Sequence, residues 1–363
     1  MHRLGISVYP EHSTPEKDNA YMEMAAKYGF TRIFTCFLSA SSDPEVVKKE
    51  FGSFIRRAHE LGFEVAADTN PQGFKSLGAS PEDLSVFHEI GLDIIRLDGH
   101  FDEQKDVLIT RNPYGIKIEF NGSSDADVER LIRHGADRRN MIICHNFYPE
   151  RYSGLSQKTF DRFNAKWESL GLTTAAFVSS QEKDTFGPWK VYQGLPTLEA
   201  DRTLPIDAQV RHMIACEVID DILIGNAYAS EEELKAMASV KLTNTTIRME
   251  AEEGLGDNEK KAVYSYIHTG RNDASEYYIR SSFPRMDFRN QEIPCRPCEK
   301  KNFTRGDVLV VNDNLAHYRG EVEIVLTEIE NDGQRNYAGR IADTDMRILD
   351  EMEKRPDHVF EII

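Results

Sequence analysis

Eight short, apolar, β-branched runs, most of them followed by a helical pattern, restrict what this chain can fold into more than any other property. They are LGISVYP from Leu4, RIFTCFL from Arg32, EVAADTN from Glu64, IIRLDGH from Ile94, IKIEFNG from Ile116, MIICHNF from Met141, TTAAFVSS from Thr173 and DDILIGN from Asp220. The first six gaps between run starts are 22 to 32 residues, enough for one strand, one helix and two short loops. Helices are predicted over Pro15–Tyr28, Pro44–Leu61, Pro81–Ile90, Asp102–Leu108, Asp125–His134, Gln157–Leu170 and Ser230–Ser239. Several stop at a glycine, which takes the left-handed helix-ending conformation without a Cβ penalty. Strands alternating with helices pair in parallel through right-handed crossovers. Eight such units in succession predict a closed (β/α)₈ TIM barrel. The competing open, doubly wound sheet would place a Gly-x-Gly-x-x-Gly after the first strand, and none is there.

The pattern changes beyond Lys241. TTIRMEAE, EYYIRSSF, DVLVVND, VEIVLTEIE, YAGRIA and HVFEII alternate apolar and polar residues, punctuated by Asp332-Gly333, Arg305-Gly306 and Arg319-Gly320. The expected class is therefore α/β, with a barrel domain over residues 1–240 and a smaller, mainly antiparallel β domain over 241–363.

Charge narrows the partners. With 44 basic and 61 acidic residues the net charge is −17, so neither nucleic acid nor an anionic membrane is an expected partner. A small anion held in a local basic pocket stays compatible with it. Five cysteines, at 36, 144, 216, 295 and 298, are too few for a disulfide framework. Cys36, Cys144 and Cys216 read as buried apolar residues. Cys295-x-x-Cys298 lacks the second ligand pair that a structural zinc site needs. No apolar leader precedes the strand pattern at Leu4, which makes the cytoplasm the expected compartment.

Barrel active sites sit at the carboxyl ends of the strands. Polar residues close nearly every strand here: Glu11 and His12 after the first, Asp68 and Asn70 at the third, Asp98 and His100 at the fourth. Glu119 and Asn121 follow at the fifth, His145, Asn146 and Tyr148 at the sixth, and Asn226 at the eighth. Carboxyl groups interleaved with amides and aromatics suit a sugar site: acids protonate a leaving oxygen, amides bind hydroxyl or acetamido groups, and rings cover the sugar face. Glu119 or Asp98 is the expected general acid, the other stabilising the cation or orienting the substrate, with Asp68 as third carboxylate. The long connection from Gln181 to Leu204 adds Lys183, Trp189, Lys190 and Arg202. Backbone N–H groups of Gly225-Asn226-Ala227 are candidates for a phosphate cradle. Arg280 and Arg285 form a basic cluster in the β domain. A metal reading gathers His12, His100 and His145 with Asp68, Asp98 and Glu119, although no H-x-H or H-x-x-x-H pair supports it. A metal-dependent hydrolase or isomerase and a non-catalytic sugar-binding protein stay open as alternatives.

The blocks HNFYPERYSGLS from His145, QGLPTLEADR from Gln193, GNAYASEEEL from Gly225 and LGISVYPEHS from Leu4 resemble the 6-phospho-N-acetylmuramidase family. These are bacterial peptidoglycan-recycling glycosidases, formerly described as an uncharacterised-domain or outer-surface-protein family. The resemblance runs nearly end to end. It implies a barrel followed by a cyclophilin-like β domain. No metal or cofactor is expected. The implied substrate is N-acetylmuramic acid 6-phosphate β-1,4-linked to N-acetylglucosamine. By their places at the strand ends, in the long seventh connection and in the β-domain basic cluster, and not by the resemblance, Glu11, Asn70, Asn121, His145, Asn146, Tyr148, Trp189, Arg202, Asn226 and Arg280 are the candidate substrate-binding residues. A homo-oligomer is compatible with this reading.

Overall fold

A computed structural model describes residues 2–37, 44–124, 126–355 and 357–363. Residues 1–213 with 218–239 form one compact unit, and 214–217 with 240–363 a second. Among the described residues no helix is long and apolar enough to cross a membrane.

The first unit is the predicted closed barrel of eight parallel strands in sequential order. They are β1 (Arg3–Ser7), β2 (Arg32–Cys36), β3 (Glu64–Thr69), β4 (Ile94–Leu97), β5 (Lys117–Asn121), β6 (Met141–Cys144), β7 (Thr173–Val178) and β8 (Asp221–Ile224). Closure is made by β1 on β8, where Gly5 stands opposite Leu223. The helix Gln157–Leu170 ends as its sequence predicts: Ser156 caps its start, and Gly171, at φ 57°, turns the chain toward β7.

Local chemistry moves several expected helix boundaries. Ser80 and Asp83 exchange backbone hydrogen bonds, closing a turn that delays the helix expected from Pro81 until Ser85. The helix expected from Asp125 starts at Val128, where the Asp127 side chain caps it; Asp125 itself lies outside the described residues. Two helices are additional, Pro71–Ser76 and Ile206–Ala215.

The barrel interior departs from the layers of Val, Ile and Leu that usually fill this fold. At its amino-terminal end three cations, Arg3, Arg32 and Lys117, interleave with Glu64, Glu119 and Asp221. The Arg32 guanidinium is buried and lies 3.0 Å from Glu64, 3.2 Å from Glu119 and 3.5 Å from Asp221. Arg3 pairs with Asp221 at 2.6 Å, and Lys117 with Glu64 at 2.9 Å. Burial would raise the Glu64 carboxyl, but Arg32 and Lys117 hold it down at about 2. Such a cluster survives desolvation because Arg32 and Glu64 each meet three opposite partners and Asp221 meets two. Gly5 makes room for it: a Cβ there would sit 2.8 Å from Arg32 Cβ and 2.9 Å from its carbonyl oxygen. Gly5→Ala is therefore expected to lower stability by about 1–3 kcal/mol through overpacking. Urea unfolding of the variant checks it, and an unchanged midpoint would mean that the strand yields freely.

The second unit contains a five-stranded antiparallel sheet in the order 249–251, 335–341, 307–311, 322–325, 278–281. A three-stranded sheet orders 268–269, 359–362, 245–247, and its last pair is parallel. The run TTIRMEAE is thus not one strand. The Arg248 backbone N–H turns to the Asp345 carboxyl at 2.8 Å, and the chain passes from one sheet to the other at that point. Two helices, Asp257–Tyr264 and Met346–Lys354, lie among these strands and were not expected.

Candidate active site

The carboxyl end of β3 and β4 holds the most concentrated polar chemistry of the barrel. Asp68 and Arg96 stand in register on adjacent strands. Arg96 Nη1 donates to Asp68 Oδ1 at 2.8 Å, and the same nitrogen lies 3.6 Å from Asp98 Oδ1. Its Nη2 donates to the Asn146 side-chain oxygen. Asp98, two residues beyond Arg96 and therefore on the same face of β4, has 44% of its side chain exposed, against 6% for Asp68. One buried cation thus gathers two carboxyl groups and an amide at the mouth. Burial pushes the Asp68 carboxyl up to about 6, against the pull of Arg96 and with the help of neighbouring Asp98. A group tuned to that range can hold a proton near neutral pH and release it on demand.

Glu119 is placed differently. It is two residues before Asn121, on the inner face of β5, and is completely buried. Its Oε1 accepts from Arg32 at 3.2 Å, and burial raises its carboxyl against Arg32 and Arg96. The side chain belongs to the ionic floor and has no opening to solvent from which to meet a substrate.

The remaining candidates divide into braces and rim groups. His145 is buried, with ring nitrogens 3.1 Å from Ser123 Oγ and 3.1 Å from Asn164 Oδ1, and burial lowers it to about 4, so it is neutral at pH 7. Asn226 is spent on Ser180 and Thr185. Asn70 caps the helix at Pro71, and the Asn121 side chain accepts from Ser123 N–H. The Arg202 guanidinium is committed to Glu199 and to the carbonyls of Gln193, Gly194 and Glu150. Arg280, in the second unit, pairs with Asp273 at 3.1 Å. On the rim, Glu11 is exposed, Tyr148 is half-buried, and Trp189 is 45% exposed with its ring 6.1 Å from Phe147. Phe147, Phe34 and Phe177 pack edge to face beneath it.

Two expectations need correction. Gly225 N–H donates to the Val178 carbonyl and Ala227 N–H to that of Phe186, so two of the three N–H groups of the cradle expected at 225–227 are spent and cannot converge on an anion. The histidines of the metal reading also bond apart: His12 to the Pro188 carbonyl, His100 to Asp106, His145 as above. Among the described residues they do not gather with Asp68, Asp98 and Glu119 at ligand distance.

Sequence reasoning passed over Arg96, the residue that organises the mouth. Its signal was present: an arginine at an inward position of the apolar run IIRLD must have a buried partner.

The family model for the 6-phospho-N-acetylmuramidase N-terminal domain matches residues 4–239, and that for its C-terminal domain matches residues 245–362. No curated protein matches the chain. Among solved structures, an uncharacterized B. cereus protein is 38% identical with a TM-score of 0.90, covering 100% of both chains. A conserved Enterococcus faecalis protein with an unknown function is 23% identical with a TM-score of 0.67, covering 99% of this chain and 96% of its own.

Proposed function

Given that this chain belongs to the 6-phospho-N-acetylmuramidase family across both of its domains and is a glycosidase of that family, we propose that its barrel mouth hydrolyses the β-1,4 bond between N-acetylmuramic acid 6-phosphate and N-acetylglucosamine. The setting is recycling of cell-wall fragments inside the cell, where phosphosugars are retained.

The observation that carries this reading is the grouping of Asp68, Asp98 and Asn146 around Arg96. Asp68 is the proton donor. Its raised carboxyl protonates the glycosidic oxygen as the bond to the muramic C1 lengthens, and N-acetylglucosamine leaves with that proton. Positive charge growing at C1 meets the Asp98 carboxyl or the carbonyl of the substrate's own 2-acetamido group, which Asn146 helps to orient. Deprotonated Asp68 then takes a proton from the incoming water, whose oxygen bonds to C1 as the bond from C1 to that carboxyl or carbonyl oxygen breaks. Asp68 Oδ1 and Asp98 Oδ1 share one guanidinium nitrogen at 2.8 and 3.6 Å, so they cannot be further apart than those two lengths end to end. Whichever of the two nucleophiles bonds to C1 is displaced in turn by water, and two inversions restore the starting configuration. Retention is expected: proton NMR of the first turnovers should show the β-anomer of the phosphorylated muramic sugar. Initial release of the α-anomer would exclude the arrangement.

The direct test is release of N-acetylglucosamine from the purified phosphorylated disaccharide, with and without prior chelation. No release would overturn the function, and release abolished by chelator would favour the metal-dependent alternative. Trp189, exposed above an aromatic floor, is suited to cover a sugar ring. Trp189→Ala is expected to raise KM about tenfold with little change in kcat, the mark of binding shared by ground and transition states. An unchanged KM would make it only an anchor of its loop.

A further inference from the structure

The substrate proposed above carries a phosphate, and the mouth residues around Arg96 offer it no free cation. A separate hollow of about 410 Å³ opens on the same barrel unit, between the connections that follow β6 and β7. Arg151, Lys183, Gln181, Gln193 and Thr203 line it, together with one carboxylate, Glu182. Three observations make it an anion site.

The first is availability. The protein is acidic, and most of its arginines are spent in ion pairs. Among the described residues, the Arg151 and Lys183 side chains enter no ion pair and no side-chain hydrogen bond, while Arg202 beside them is fully committed. The second is rigidity. The Arg151 backbone N–H donates to Gln193 Oε1 at 3.2 Å, and those of Tyr152 and Gly154 donate to the two Glu199 oxygens at 2.8 Å each. Arg202, aided by these N–H groups, holds the Glu199 carboxyl at about 2, so the strap is permanently ionised. A braced backbone thus carries an uncommitted guanidinium. The third is strain: Tyr152, next to Arg151, is held at φ 71°, a conformation that side-chain-bearing residues adopt rarely and that persists where surrounding contacts impose it.

We propose that this hollow is the phosphate subsite of the enzyme, with the Arg151 fork and the Lys183 ammonium as its charged ligands and the Thr203 hydroxyl as a neutral one. It rests on the function proposed above and adds what that reading lacks, namely what selects a phosphorylated sugar. It also relocates the anion from backbone groups after β8 to side chains of the two preceding connections. Arg suits the role because its planar donors match two phosphate oxygens at once.

The test uses the full-length protein and two measurements. The first is the ratio of kcat/KM for the 6-phosphorylated disaccharide to that for its dephosphorylated form. The second, independent of turnover, is the ratio of affinities for N-acetylmuramic acid 6-phosphate and N-acetylmuramic acid by calorimetry. In the R151Q/K183Q double variant both ratios are expected to fall at least ~100-fold, since each lost contact is a charge-assisted hydrogen bond. Both are expected to persist in R280Q. Ratios unchanged in the double variant would overturn the subsite, and a collapse in R280Q instead would move it to the second unit. Absence of turnover in the wild type, with phosphate preference in binding retained, would strike the proposed reaction and leave the subsite standing. Should R151Q/K183Q fold poorly, R151K/K183R keeps both charges and must retain part of the preference.

Discussion

Asp68→Asn is expected to reduce kcat/KM by about 10³-fold while the far-UV circular dichroism stays that of the wild type, because a positioned general acid contributes roughly 10²–10⁴. The wild-type pH profile should carry the same signature. The free-enzyme Asp68 carboxyl sits at about 6, pushed up by burial against the nearby Arg96. A proton donor must be protonated to act, so kcat/KM should fall tenfold per pH unit above about 6. The matching effect on stability has a definite sign. The folded carboxyl binds its proton more tightly than the unfolded one, near 3.9. Its contribution is therefore complete below about pH 4 and is lost as pH rises through 6. In Asp68→Asn, thermal midpoints should lose that component of their slope across the same window. Activity that holds level to pH 9 would assign the proton to another group. Glu119→Gln supplies the contrast: a side chain enclosed beneath the mouth is expected to leave kcat within about tenfold, and a 10³-fold loss there would transfer the acid role to Glu119.

The second large effect is on stability. Arg32→Met should destabilise the barrel unit by about 3–5 kcal/mol, the usual consequence of removing one partner from a buried ionic cluster. At ~2–4 °C per kcal/mol for a unit of this size, the melting midpoint should fall by roughly 10 °C. The reason is that Glu119 would keep its desolvation and lose the cation at 3.2 Å, and Asp221 would lose the one at 3.5 Å. Arg3 still serves Asp221 and Lys117 still serves Glu64, so Glu119 bears most of the loss. Arg32→Met combined with Glu119→Leu should recover more than half of the deficit, since apolar side chains of similar size replace a buried pair with little penalty. Additive losses in the double variant would show that the two side chains do not act as a pair.

How much of this was legible in advance differs between fold and site. The barrel was legible because its signal is repetitive: eight apolar runs, the first seven starting 22 to 32 residues apart and most of them followed by a helix that must bury one face. The same local logic misjudged TTIRMEAE, where alternation promised one strand and the Asp345 side chain divides it between two sheets. It passed over Asp257–Tyr264 and Met346–Lys354, which are short helices among strand-like neighbours.

At the site, the sequence by itself determined which residue types reach the strand ends, because a period of two along a strand follows from backbone geometry alone. It could not rank them. Glu119 and Asp68 look alike in the chain, each an acid within a strand, yet one is enclosed on Arg32 and the other stands beside Arg96 near the opening. Likewise Arg202 and Arg151 are both arginines of mouth loops, but only the packed loops reveal that the first is consumed by Glu199 and that the second, among the described residues, is free. Depth and partnership are set by strands far apart in the chain, and a carboxyl's proton affinity depends on both. That is why the residue types could be read from the order of amino acids and their roles only from the fold.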